Sequence, residues 1–409
     1  MHNSKIIKIF LWLFVCVFVT KSYAADVVWP ELIVHLHSSG HAYLVDPQTD
    51  KVVADLETTK GATLGTTTPD ATKVYIGAAA EGERQVTVID LAQKAVVARI
   101  ETGNRPKHPL VSPDDKWVGV NHWGLDGGKL RVSFIDVATD KVAKEIAVDV
   151  ANTEFPGVTS MHNAWDAESN LFFTLNRVND QLVVINVNDW STTTYTMEST
   201  PHYVVPSPDG KELWVVLEGK EGLNPGVAIY DLTHPNMNII TKIYMPLIGE
   251  TVREGHHGNF TQDGLYFLMS NRGPGNNAQG REVTIFDAQT KQLIRRITTA
   301  TTGVGHTYNT PDGRLAVATN YGNNVLTLID MITMSPVKDL VIGSGRMGHI
   351  AFTNDGLFGY ISNSKDGALY KLDMQRLLVV KKIVTNGNPG AGQVLNVWTN
   401  VFEELPRIK

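Results

Sequence analysis

"HTYNTPDGRLAVATN", residues 306–320, with "LTLIDMIT", residues 326–333, decides the fold. Two β-rich runs flank Thr310-Pro311-Asp312-Gly313, and Asp-Gly between such runs is a hairpin signal. A third run ends on Asp330, whose short side chain suits a turn through side-chain-to-backbone hydrogen bonds. The same order returns along the whole chain. Turn-bearing pairs are "HPLVSPDDKWVGVNHW" at 108–123, "YVVPSPDGKELWVVLE" at 203–218 and "HIAFTNDGLFGYISN" at 349–363. Strand-end markers stand at Asp46, Asp90, Asp136, Asn186, Asp231, Asp287, Asp330 and Asp373. Each is followed by one more short run, such as "KVVADLET" or "QLIRRITT".

Four short strands repeated every ~40–50 residues define a propeller blade. The expected fold is an all-β, β-propeller chain of eight four-stranded blades. The first unit, beginning at "ELIVHLHSSG", lacks a leading strand, and the chain carries a spare one in "GQVLNVWTN", residues 392–400. That C-terminal strand is expected to complete the first blade and close the ring; a seven-bladed ring is the alternative. No linker divides residues 25–409, which read as a single domain.

The start of the chain reads differently. Lys5 and Lys8 precede the apolar run Ile9–Val19, and Ser22-Tyr23-Ala24 offers small residues for cleavage. Residues 1–24 are read as a signal peptide, so a periplasmic or secreted protein with no membrane span after cleavage is expected. Cys16 is the only cysteine. The exported chain therefore has no disulfide, no thiolate ligand and no covalent c-type haem attachment. The formal net charge is −6 with no basic stripe, so nucleic acid is not an expected partner.

Aligned on the turn, His108, His257, His306 and His349 fall four residues before the Ser/Thr, and "SMHNAWDAES" puts His162 at the same place ahead of Asp166. His202 and His256 stand one residue earlier; Leu64 and Tyr203 break the series. Strand-end residues His37, His122, Glu218, Arg272 and Tyr321 are expected near the same face. His41 and His234 read as turn or surface residues, and Trp123 and Trp165 as packing between blades.

The repeats resemble the YVTN family of propellers, through "GNRPKHPLVSPDD" at 103–115 and the Ser/Thr-Pro-Asp-Gly turns. That superfamily includes the haem d1 domain of cytochrome cd1 nitrite reductase and its biosynthetic relatives. The chain also resembles the propellers of nitrous oxide reductase and thiocyanate dehydrogenase, which hold copper on histidines at the channel mouth. By this resemblance the shared histidine position opens the innermost strand, and the five imidazoles converge on one axis.

A thiol-free, imidazole-rich site favours copper. The leading expectation is a multi-histidine copper site acting as a redox centre on a small-molecule or anionic substrate. Its ligands would be His108, His162, His257, His306 and His349, with His37, His122, His202 and His256 as further candidates and Glu254 or Arg253 handling protons or an anion. With no cupredoxin domain or cysteine, an external electron-transfer protein would be the partner. Three alternatives stay open. One is a haem d1-type tetrapyrrole-binding accessory protein needing one axial histidine. Another is a metal carrier or interaction scaffold without chemistry. In the third, the histidines only cap strands.

Overall fold

The structure, a computed structural model, describes residues 31–234, 236–245, 254–272, 280–385, 389–390 and 392–397. Alternation of apolar and polar residues in short runs produces strands throughout, and they assort into eight four-stranded antiparallel sheets. These are the eight blades; the seven-bladed alternative falls. Seven sheets are built from four consecutive strands. The first is completed from the far end of the chain: Val394–Asn396 pairs antiparallel with Ile33–His37, with Val34 opposite Leu395. Gln393 strengthens the seam, its Oε1 accepting from the Gly65 backbone N–H at 2.8 Å. The proposed leader, residues 1–24, lies outside the described residues. No helix among the described residues is long and apolar enough to cross a membrane.

Burial grades from the axis outward. Innermost strands such as Pro106–Val111 are buried at every position, whereas outer strands such as Lys51–Glu57 alternate between exposed and half-buried. The core is a ring of eight apolar clusters among the described residues, one at each interface between neighbouring blades. The cluster of Ile33, Val45 and Val394 with Ala351, Tyr360 and Leu369 joins the last blade to the first. Polar latches reinforce the seams. Asp50 takes Lys371 Nζ at 2.7 Å and the Tyr360 hydroxyl at 2.8 Å. Asp140 takes Lys73 Nζ at 2.8 Å and the Tyr75 hydroxyl at 2.5 Å. The marker aspartates act as the sequence suggested: Asp136 Oδ1, for example, accepts from the backbone and hydroxyl of Thr139.

One irregularity positions the site. In five blades the innermost strand is bulged near its start. The register slips between Pro106 and His108, Pro201 and Tyr203, Gly255 and Gly258, Val304 and His306, and Met347 and Ile350. A bulge leaves a residue unpaired and re-aims side chains. Those thrown out of register include Lys107, His202, His256, His257 and His349.

Candidate metal and cofactor site

His108, His162, His257, His306 and His349 all sit at the entry to an innermost strand, and the ring brings them together. Ring centroids are 5.0 Å apart for His108–His162, 4.3 Å for His162–His257, 3.6 Å for His257–His306 and 4.4 Å for His306–His349. The bulges add His202 and His256, whose rings lie 4.2 Å apart and 5.7 and 4.3 Å from His257. Seven imidazoles, six of them buried and His349 half-buried, thus form an arc over six consecutive blades. His162, Tyr203, His257, His306, Tyr308 and His349 line a cavity of about 30 Å³.

Burial sets the charge state of this arc. It holds His202, His256, His257 and His306 well below the ordinary histidine pKa, and neighbouring imidazoles and arginines add to the effect. Neutral rings carry one proton each, so hydrogen bonds fix the tautomers. The Gly305 carbonyl accepts from His256 Nδ1 at 2.8 Å, so that nitrogen bears the proton. His257 Nδ1, 2.6 Å from it, therefore accepts. His257 Nε2 then donates to His306 Nε2 at 2.9 Å. The Tyr321 hydroxyl lies 3.2 Å from His306 Nε2 and 3.3 Å from His349 Nε2, and the Tyr308 hydroxyl 2.8 Å from His349 Nδ1.

Two further rings are oriented the same way as His256. Asn163 donates its amide to the His108 carbonyl, which turns its Oδ1 to accept from His108 Nδ1. His202 Nδ1 donates to Glu218 Oε1 at 2.5 Å. Arg177 Nη2 holds that carboxylate at 2.9 Å, while burial pushes its pKa up. His108, His202 and His256 therefore present Nε2 lone pairs, the arrangement in which imidazoles ligate metals. Three overlapping sets have one donor atom from each member within 4.8 Å of the others: His162, His202 and His257; His256, His257 and His306; and His202, Glu254 and His256. Glu254 is also bound by Arg272 Nη2 at 2.6 Å. Arg253, named with it from the sequence, lies outside the described residues.

Two sequence candidates do not join the arc. His122 donates from Nδ1 to the Arg131 carbonyl at 2.9 Å and receives Thr102 Oγ1 at Nε2, 3.3 Å away, so both nitrogens are already engaged. His37 lies against His35 and Tyr43, with Nδ1 2.6 Å from Ser39 Oγ. The expectation that second-strand ends converge on the arc fails for these two because their rings turn into neighbouring chain. It holds for Glu218, Arg272 and Tyr321. Sequence reasoning missed Arg177, Tyr308 and Asn163, which act across blade boundaries, although Arg177 follows the second strand of its blade as Glu218, Arg272 and Tyr321 do. His41 pairs with Asp55 at 2.7 Å and His234 with Asp231 at 2.8 Å, both near the surface. Trp165 packs between blades as expected, its Nε1 donating to the Leu110 carbonyl. Trp123 instead lies under Lys107 Nζ, 4.5 Å from the ring centroid, and Arg105, 5.4 Å away. Burial lowers the Lys107 pKa to about 7, and Arg105 adds to the shift.

Buried histidines outside the arc make stability pH-dependent. Burial lowers His35 to about 3, helped by His37, and lowers His122 to about 4. The unfolded chain takes up protons near pH 6.5 that the fold refuses. Stability is therefore full above pH 6.5 and falls as pH drops towards 4. By pH 4.5 each group removes about 2 kcal/mol. Urea midpoints at pH 7.5 and 4.5 measure the loss. His35→Gln should flatten the profile, and an unchanged profile would refute the assignment.

The model of the family described as the Cytochrome D1 heme domain matches residues 125–311. None of the curated proteins compared matches the chain. Among solved structures, dihydro-heme d1 dehydrogenase NirN in complex with DHE is similar at 20% identity and TM-score 0.73, covering 91% of this chain and 76% of NirN. Apo AztD from Citrobacter koseri is similar at 12% identity and TM-score 0.63, covering 90% of this chain and 97% of AztD. The periplasmic gluconolactonase PpgL of Pseudomonas aeruginosa gives 15% and 0.59, covering 77% of this chain and 97% of its own. The structural likenesses show the fold. The family match adds that the stretch 125–311 is similar to the d1 haem domain.

Proposed function

We propose that the protein is an exported carrier or accessory propeller that binds a haem d1-type tetrapyrrole at the channel mouth, with His108 as axial ligand. The observation that carries this reading is the His108 imidazole itself. Asn163 accepts its Nδ1–H in a hydrogen bond, which puts the lone pair of the neutral ring on Nε2. A macrocycle already supplies four equatorial nitrogens, so its iron needs one axial imidazole and no convergent set. Beside His108 in the sequence the chain carries Arg105 and Lys107, whose cationic ends lie over the Trp123 ring; Arg105 could pair with a carboxylate of the ligand. When bound, the group would supply redox-active iron; His108 would orient it and Arg105 would neutralise an acid group. The match to the d1 haem family supports this reading over copper.

The test is reconstitution of the metal-free protein with an iron tetrapyrrole, followed by absorption in the Soret region. Wild type is expected to show a histidine-ligated spectrum. His108→Ala is expected to lose it, with recovery on adding imidazole. An identical spectrum in His108→Ala would refute the axial assignment.

A second reading is the multi-histidine copper centre. The mutual approach of His256, His257 and His306 favours it, because imidazole donors suit copper. Elemental analysis of the protein produced in a copper-supplied periplasm distinguishes the two. Copper that survives His108→Ala and is lost in a His257/His306 double variant would favour this second reading.

A further inference from the structure

We propose that His202, His256 and Glu254 form a separate mononuclear site for a divalent transition cation, beside the tetrapyrrole position and independent of it. The three residues come from two adjacent blades, and each places a donor atom within 4.8 Å of the other two. Two imidazoles and one carboxylate are a ligand set used by zinc and by non-haem iron(II), both with positions left open.

The surroundings are already arranged for ligation. The Nδ1 protons of His202 and His256 are held by Glu218 and by the Gly305 carbonyl, which puts the lone pairs on Nε2. Glu254 Oε1 stands 3.6 Å from His202 Nδ1, so a rotation of the His202 ring or of the Glu254 carboxylate would complete the set. His202 is 1% exposed, and its Nε2 has no hydrogen-bond partner. A buried acceptor left unpaired is costly, and coordination would relieve that cost. Arg177 fixes Glu218 from behind, and Arg272 fixes Glu254. Ligating histidines characteristically donate their second N–H to a carboxylate or carbonyl, and both rings here do so. The strand bulges produce the juxtaposition. The slip at Pro201/Tyr203 frees His202, and the slip at Gly255/Gly258 frees His256.

The experiment uses the full chain stripped by a chelator and titrated with Zn²⁺ by calorimetry and with Co²⁺ by visible absorption. One cation should bind per chain, and cobalt should give a d–d spectrum of low coordination number. Arg177→Ala, which releases the positioning carboxylate Glu218, should weaken binding ~10–100-fold. His202→Ala and Glu254→Gln should weaken it at least as much, with circular dichroism showing each variant folded. His108→Ala should bind cobalt as wild type does, even where it loses the tetrapyrrole spectrum. The proposal is overturned if folded wild type binds no Co²⁺, or if the site survives both His202→Ala and Glu254→Gln. Loss of pigment alone refutes nothing here, so this proposal and the axial-ligand reading fail by different observations.

Discussion

Removing residues 392–409 is expected to leave a chain that cannot close its ring and that accumulates as aggregate. The last described strand, Val394–Asn396, is the innermost strand of the first blade. Without it the strand Ile33–His37 loses one neighbour and becomes an edge at the axis, where every residue is apolar or histidine. An unprotected apolar edge is a template for intermolecular pairing. The loss also strips both seams of the first blade. Leu395 and Val397 leave the cluster shared with the second blade, and Val394 leaves the one shared with the eighth. Each large apolar side chain removed from such a core costs about 2–5 kcal/mol, a large share of a domain's net stability. Size-exclusion chromatography and thermal melting of the truncated protein measure the effect. A point variant keeps the test quantitative where the truncation yields nothing soluble. Leu395→Ala should lower the unfolding free energy by about 2–5 kcal/mol. A monomeric truncation with an unchanged melting temperature would show that the ring closes by other means.

The second large effect lies at the opposite side of the ring. Trp214→Ala is expected to destabilise the fold by about 3–5 kcal/mol. Trp214 has no exposed surface and fills the interface of the fifth and sixth blades. Its ring lies 5.2 Å from Phe260 and 4.8 Å from Phe267. Its Nε1 donates to Glu212 Oε2 at 2.9 Å, and the same carboxylate oxygen takes Lys291 Nζ at 2.5 Å. Truncation would leave a cavity between two rigid sheets and take one of its two donors from Glu212 Oε2. Trp214→Phe keeps most of the volume and should cost much less. Urea unfolding of the two variants separates the terms, and equal losses would mean that the hydrogen bond, not the volume, dominates.

The fold was legible because the chain repeats itself. The Pro-Asp-Gly turns and marker aspartates fix strand order within a unit, and counting markers from Asp46 to Asp373 fixes the number of blades. The spare C-terminal strand was legible for the same reason: one unit was short by the strand that the end of the chain supplies. The five aligned histidines were legible as a shared position, and the ring makes that position a place. What was not legible depends on backbone irregularity and on neighbours distant in sequence. His202 looked displaced by one residue, with Tyr203 in the ring position. A bulge absorbs that displacement and returns His202 to the arc. His37 and His122 looked suitable because they end second strands, yet side-chain direction depends on the local partners Ser39, Arg131 and Thr102, which no repeat encodes. Arg177 follows a second strand as Glu218 and Arg272 do, so its position was legible, but its role shows only once Glu218 is seen 2.9 Å away.

The arc of imidazoles is incomplete. Six consecutive blades carry it, while the first two place Gln393, Thr63 and Leu64 at the corresponding rim. A rotor with eight identical blades would offer a guest eight indistinguishable poses about its axis. This mouth instead has a soft nitrogen bank on one side and amide, hydroxyl and hydrocarbon on the other. The scaffold's symmetry therefore does not extend to its cargo. A ligand whose own edges differ in polarity would be held in one azimuth, and the face it presents to an incoming partner would be set before that partner arrives.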